Sequence, residues 1–191
     1  MKTTSIMIVG VGGQGTLLAS KLLGNVLLSQ GYDVKVSEVH GMSQRGGSVV
    51  TYVRFGEKVY SPVVDLGEAD YILSFELLES ARWIGYLKKG GRLITNTHRT
   101  PPMPVITGAA EYPSNIEARL RELADVTALE AMPLAEQAGS AKAVNVVLVG
   151  VLSRSMDIPE EKWLRAIEET VPPKFAELNR RAFLLGREVQ A

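Results

Sequence analysis

The stretch Ser5-Ile6-Met7-Ile8-Val9-Gly10-Val11-Gly12-Gly13-Gln14-Gly15 decides the fold of this chain. From Ile6 to Val9 every side chain is apolar, the pattern of a strand buried on both faces, and Gly10 ends it. Behind the glycines, Leu18, Leu22 and Val26 recur at four-residue spacing while Leu17, Leu23 and Leu27 widen the stripe. A helix is therefore predicted over 16–30, with Gly31 at its stop. A second strand reads at 33–39, where Val34 and Val36 alternate and Val39 follows one break. Together these elements make a strand–helix–strand unit, whose crossover is expected to be right-handed.

The next link departs from a repeated nucleotide-binding half. Only the eight residues 40–47 separate the second strand from Ser48-Val49-Val50-Thr51-Tyr52-Val53-Arg54-Phe55, whereas a parallel crossover needs roughly 10–12. The third strand is therefore expected to run antiparallel at an edge, with Lys58-Val59-Tyr60-Ser61 as a short hairpin partner. Strand and helix then alternate again: a strand at 71–75, a helix at 77–87, a turn at Gly90-Gly91 and a strand at 92–96. Four prolines mark 98–113 as an extended loop, Asn115 is placed to cap a helix over 116–123, and 126–129 reads as the last strand. The segment from Ala143 to about Met156 is apolar on nearly every side and predicts a buried helix. Pro159 opens another helix, and Phe175, Leu178, Ala182 and Leu185 form one stripe of a C-terminal helix. The expected fold class is α/β: a Rossmann-like, mostly parallel sheet with helices on both faces, an antiparallel edge strand or hairpin after the second strand, and C-terminal helices.

Composition narrows the function. The 191 residues hold 21 Lys+Arg, 21 Asp+Glu and no cysteine. Without sulfur ligands the chain cannot itself carry an iron–sulfur cluster, a Cys-bound zinc or a thiol nucleophile. A formal net charge of +0 offers no global field for nucleic acid. The apolar run near the start is too short for a signal peptide, and no window approaches the ~20 residues of a membrane span, so a cytoplasmic protein is expected.

Two loops carry the chemistry. Gly10-Val11-Gly12-Gly13-Gln14-Gly15 fits G-x-G-x-x-G between a strand and a helix, where unpaired N–H groups and the helix dipole favour an anion. Glu38 stands where an acidic residue would meet a dinucleotide ribose, although the short link at 40–47 argues against a nicotinamide site. The competing reading is that the glycines only permit close strand–helix packing. The second loop, His40-Gly41-Met42-Ser43-Gln44-Arg45-Gly46-Gly47, follows a strand end, where open α/β sheets bind ligands. Arg45 offers a permanently charged fork for phosphate or carboxylate, unless it merely pairs with Glu38 or another acid. Asp70 and Glu76 could line the same C-terminal edge of the sheet or be ordinary exposed carboxylates at strand ends, and Asn96 and Asn145 could hydrogen-bond across a cleft or interface or simply satisfy a buried loop carbonyl. No histidine or carboxylate set has metal spacing.

In combination, the two loops, Glu38, Gly67-Glu68-Ala69-Asp70, Glu76, Gly90-Gly91, Asn96-Thr97, Tyr112-Pro113 and the run Ala143 to Gly150 resemble the gamma subunit or domain of 2-oxoacid:ferredoxin oxidoreductases, over about Ile6 to Leu152. A small chain without a ferredoxin-like segment is most similar to the indolepyruvate branch. The resemblance implies one gamma-type domain over 1–191, assisting oxidative decarboxylation of a 2-oxoacid, an arylpyruvate such as indolepyruvate, to acyl-CoA with electrons passed to ferredoxin. It implies thiamine diphosphate, Mg and iron–sulfur clusters on a large partner subunit, none held by this chain alone, with ferredoxin reached through that partner. Coenzyme A, substrate or partner would meet Gly12, Gly13, Gln14, Gly15, His40, Gly41, Met42, Ser43, Gln44, Arg45, Gly46 and Gly47, supported by Glu38, Glu76, Asn96 and Asn145. Neither nucleic acid nor membrane is expected as a partner, and the isolated chain can self-associate through the face meant for the large subunit. Two other readings stay open: a self-contained nucleotide-binding reductase, and a non-catalytic regulatory or scaffold module.

Overall fold

A computed structural model of the chain describes residues 3–41 and 46–190. Strand β1 (Thr4–Val11) leads into helix α1 (Thr16–Ser29), strand β2 (Asp33–His40) and strand β3 (Ser48–Gly56). After a loop, β4 (Ala69–Ser74), α2 (Leu77–Trp83) and β5 (Leu87–Asn96) follow, then the short α3 (Met103–Ile106), α4 (Ile116–Leu123) and β6 (Asp125–Leu129). The chain ends in helices α5 (Ala131–Ala138), α6 (Val144–Ser153), α7 (Glu160–Thr170) and α8 (Pro173–Glu188). Among the described residues, no helix is long and apolar enough to cross a membrane.

The strands form one sheet in the order β2-β3-β1-β4-β5-β6. β3 runs antiparallel to both of its neighbours, and the remaining pairs are parallel. The antiparallel direction expected from the short link is found. The expected edge position is corrected, because β3 lies between β2 and β1 and leaves β2 outermost. Burial explains the exchange: Val50, Thr51 and Val53 of β3 are buried, whereas Val36, Glu38, Val39 and His40 of β2 are exposed. A strand apolar on both faces goes inside, and a strand carrying lysine, serine and glutamate tolerates the edge.

Five smaller expectations also change. Residues 58–61 form no strand; instead Val59 N–H donates to Asp33 Oδ2 at 2.9 Å. Gly90 and Gly91 sit within β5 at a register shift rather than in a turn. The predicted helix at 77–87 ends at Trp83 and passes through a 3₁₀ turn, Ile84–Tyr86. Asn115 does precede α4, but in a left-handed backbone conformation (φ 60°) without a side-chain capping bond. At the other end Phe175, assigned to the stripe of α8, is exposed, while Ala182 of that stripe is buried together with Asn179, Phe183 and Gly186.

The pleat divides the core. Ile6 and Ile8 point to the face covered by α1 and α5 to α8, while Met7 and Val9 point to the face covered by α2 and α4. Helix α6, buried from Asn145 to Ser153, lies within the first layer and packs against α8. Their contact is close enough that a Cβ on Gly186 would stand 2.0 Å from the Val147 carbonyl oxygen.

Candidate functional site

The parallel strands β1, β4 and β5 end side by side, and three amide side chains tie their ends together. Gln14 folds back so that its Oε1 accepts from Val11 N–H at 2.7 Å, while its Nε2 donates to the Phe75 carbonyl at 3.4 Å. Asn96, buried at the end of β5, donates to the same carbonyl at 3.4 Å, and its Oδ1 accepts from Ala131 N–H at 3.2 Å and His98 N–H at 3.4 Å. Asn145 reaches in from α6, and its Nδ2 donates to the Gly15 carbonyl at 3.2 Å. That approach requires glycine: a Cβ at residue 15 would lie 2.4 Å from Asn145 Nδ2, and the φ of +87° disfavours any side chain. The glycine loop thus admits Asn145, and the first turn of α1 has no side-chain cap.

A cavity of about 610 Å³ opens at this junction, between the glycine loop, the ends of β4 and β5, and the start of α6. Gly13, Gln14, Gly15, Asn96 and Asn145 line it, with Leu18, Phe75, Met132 and Val144 supplying apolar walls. Among the described lining residues the ionisable ones are His98 and Lys142, and no carboxylate is present. Uncapped helix N–H groups, a lysine and a histidine favour an anionic or carbonyl-bearing ligand over a cation. Sequence reasoning missed His98 and Lys142, because neither belongs to a motif and each is brought in by the chain after an interior element.

The second loop meets the first directly: Gly12 N–H donates to the Gly47 carbonyl at 2.9 Å. Met42, Ser43, Gln44 and Arg45 lie outside the described residues. His40 is exposed at the end of β2, with Nδ1 3.3 Å from the Gly41 carbonyl, and does not line the cavity. Glu38 is also exposed on β2. Because β3 intervenes, β2 lies two strand spacings, roughly 10 Å, from β1. A dinucleotide site needs its acidic strand adjacent to the glycine strand, so the arrangement lacks the geometry that would give Glu38 a ribose.

Glu76 stands at the end of β4 but turns its side chain toward the α2 face. It is 1 % exposed, and its Oε2 accepts from Glu79 N–H at 2.8 Å, which caps α2. Its Oε1 accepts from Thr100 N–H at 2.9 Å and from the Tyr112 hydroxyl at 2.7 Å. Burial first, and then the hydrogen bond to the Glu76 carboxylate, push the Tyr112 hydroxyl well above the ordinary tyrosine range, with Arg99 opposing from 5.4 Å over the ring. Glu79, one turn on, holds the other loop. Its carboxylate accepts from Ser48, from Trp83 Nε1 at 3.3 Å and from Arg82 at 3.0 Å. The spacing Glu76-x-x-Glu79 at a helix start was the available signal for this pair. Asp70, expected at the same edge, lies instead at the N-terminal end of β4, where it binds Ser5 N–H at 2.8 Å and Lys88. Among the described residues no group of histidines and carboxylates could hold a metal ion.

Residues 5–189 match the family described as pyruvate ferredoxin/flavodoxin oxidoreductase. The chain is 50% identical to indolepyruvate oxidoreductase subunit IorB of Thermococcus kodakarensis, with 97% of this chain and 95% of that one covered. In fold it is similar to pyruvate oxidoreductase subunit PORC of Thermotoga maritima, with a TM-score of 0.75 at 22% identity over 98% of this chain and 97% of the other. It also resembles part of the 2-oxoglutarate:ferredoxin oxidoreductase of Magnetococcus marinus, with a TM-score of 0.73 at 18% identity, 98% of this chain matching 31% of that longer one.

Proposed function

The chain belongs to the pyruvate ferredoxin/flavodoxin oxidoreductase family, and from that premise we propose that it is the small, gamma-type subunit of an indolepyruvate-type 2-oxoacid:ferredoxin oxidoreductase. The observation that carries this reading is the 50% identity, sustained over nearly the whole of both chains, to a subunit of indolepyruvate oxidoreductase. The whole chain is read as one gamma-type domain. With no cysteine in its sequence, the chain has no thiolate to ligate an iron–sulfur cluster, which supports placing the redox centre on a larger partner. Thiamine diphosphate on that partner would supply the electron sink for decarboxylation of the 2-oxoacid.

This chain's own part is to bind and orient. The joined loops at Gly12 and Gly47 face the partner's cofactor region, and the adjoining cavity receives an anionic group of coenzyme A or of the 2-oxoacid. The first-turn amides of α1, with Lys142 and His98 at the walls, stabilise that charge. The amide trio Gln14, Asn96 and Asn145 holds the cavity walls in place through the bonds to Phe75 and Gly15. Arg45 adds a fixed positive charge from the second loop.

The test is reconstitution with the large subunit, following viologen or ferredoxin reduction with indolepyruvate, pyruvate and 2-oxoglutarate, with and without coenzyme A. Reduction that needs both subunits and prefers the arylpyruvate is expected; full activity of the large subunit alone would sink the reading. Arg45→Ala is expected to raise the Michaelis constant for coenzyme A or 2-oxoacid by about tenfold, the cost of one charge-assisted hydrogen bond. Unchanged constants for both would remove Arg45 from the site.

A further inference from the structure

The loop after β5 leaves the cavity wall at His98, crosses to the α2 face and returns at Tyr112, and a single carboxylate holds both of its ends. Glu76 Oε1 accepts from Thr100 N–H and from the Tyr112 hydroxyl, while Oε2 is committed to capping α2. Between these two points the sequence Thr100-Pro101-Pro102-Met103-Pro104-Val105-Ile106-Thr107-Gly108-Ala109-Ala110 contains no ionisable side chain, although Arg99 and Glu111 flank it. Three prolines restrict its backbone. Within it α3 presents Met103 and Ile106, three residues apart and so on one side of the turn, at 65% and 66% exposure. A connection serving only to cross solvent would carry polar turn residues, not two large apolar side chains held outward from a buried pin.

We infer that residues 100–110 are a docking element and that an uncharged apolar recess on the large subunit covers Met103 and Ile106. The inference rests on the subunit reading above. Three observations select that occupant. The loop is continuous at His98 with the cavity that the proposed function sets against the partner. The absence of charge over eleven residues gives nothing to attract nucleic acid or an anionic lipid surface. Two side chains cover far less than the roughly 1,200–2,000 Å² of a stable interface, so they fit as one part of a contact with a larger body rather than as the whole of a symmetric dimer. The pinned root also lowers the ordering cost of binding, since the loop is already shaped.

The experiment co-expresses the M103S/I106S variant with the large subunit of its own enzyme and measures the dissociation constant of the complex and the melting midpoint of the small subunit alone. The expected result is an affinity lower by about tenfold or more with the midpoint unchanged, because both side chains are already in solvent. Leu28→Ser, an exposed leucine on α1 at the opposite face, is expected to leave the affinity at the wild-type value. A double variant that binds as tightly as wild type overturns the docking role. Loss only of self-association, with the complex intact, also overturns it by assigning the loop to a second copy. Failure of the wild-type chain to bind the large subunit overturns the subunit reading itself.

Discussion

The two faces of the sheet are closed by different means. On one, α1 and α5 to α8 bury a continuous apolar cluster, with α6 enclosed on all sides and α8 pressed against it through Gly150 and Gly186. On the other, only α2 and α4 pack on the strands, the cluster is smaller, and loops supply the rest of the cover. The loop at 98–113 and the start of β3 are held by hydrogen bonds to two buried carboxylates, Glu76 and Glu79, while the loop between β3 and β4 is held by Arg54 and Asp33 and by buried Val64. Met103 and Ile106 are exposed in the first of these loops, and Tyr60, Val63 and Leu66 in the second. Non-directional burial closes the helical face, where Leu17, Leu28 and Phe175 stay exposed, whereas the carboxylate-pinned face is ordered in shape and exposes apolar side chains along its loops.

The contrast can be broken most directly at the helix crossing. Gly186→Ala places a methyl 2.0 Å from the Val147 carbonyl oxygen, where backbone rather than a movable side chain must give way. Chemical denaturation should show a loss of about 3 kcal/mol. A loss below about 1 kcal/mol would mean that the two helices separate easily and that the face is not tightly packed. On the opposite face, Glu76→Ala removes a helix cap and leaves Thr100 N–H and the Tyr112 hydroxyl without their acceptor, at a cost of about 2 kcal/mol. Limited proteolysis should then cut first within 98–113. Glu76→Gln should fall between, since its amide turns one N–H toward a donor; cleavage elsewhere in either variant would show that the carboxylate does not hold the loop.

The smallest effect concerns pH. Tyr112 has its folded-state pKa raised, so the folded chain keeps a proton that the unfolded chain releases once pH passes the ordinary tyrosine value, near 10. Its contribution is fully present below that pH and declines as pH rises above it. Tyr52, raised by burial, acts in the same direction and also packs on the α2 face. Tyr112→Phe should cost about 1 kcal/mol at neutral pH and flatten the alkaline decline in stability. An unaltered alkaline limb in denaturation measured from pH 9 to 11 would assign that decline to other groups.

Much of this fold was legible because its signals are local. The run Ile6 to Val9, the glycine turn and the leucine stripe of α1 each follow from a few neighbouring side chains, and the structure places these elements at Thr4–Val11 and Thr16–Ser29. The antiparallel sense of β3 followed from chain length alone. Its interior position did not, because that depends on whether β2 or β3 has more apolar surface to bury, a competition between segments. The candidate site divides in the same way. Gly13 to Gly15, Asn96 and Asn145 were singled out by residue type and meet at one cavity, whereas Gly12 bonds the second loop at Gly47. His98, Lys142 and Glu79 were not, since their roles arise only from elements distant in the chain.

The sequence by itself determined the α/β class, the family and the need to carry clusters elsewhere, because periodicity, motif order and the lack of cysteine are properties of the string. Tertiary structure alone decided that Glu38 stands apart from the glycine loop, that Glu76 serves a loop rather than the cavity, and that one face is left thinly covered. Those outcomes depend on which strand pairs with which and on where each side chain finds its hydrogen-bond partner, and both are settled only when segments far apart in the chain compete for the same buried space.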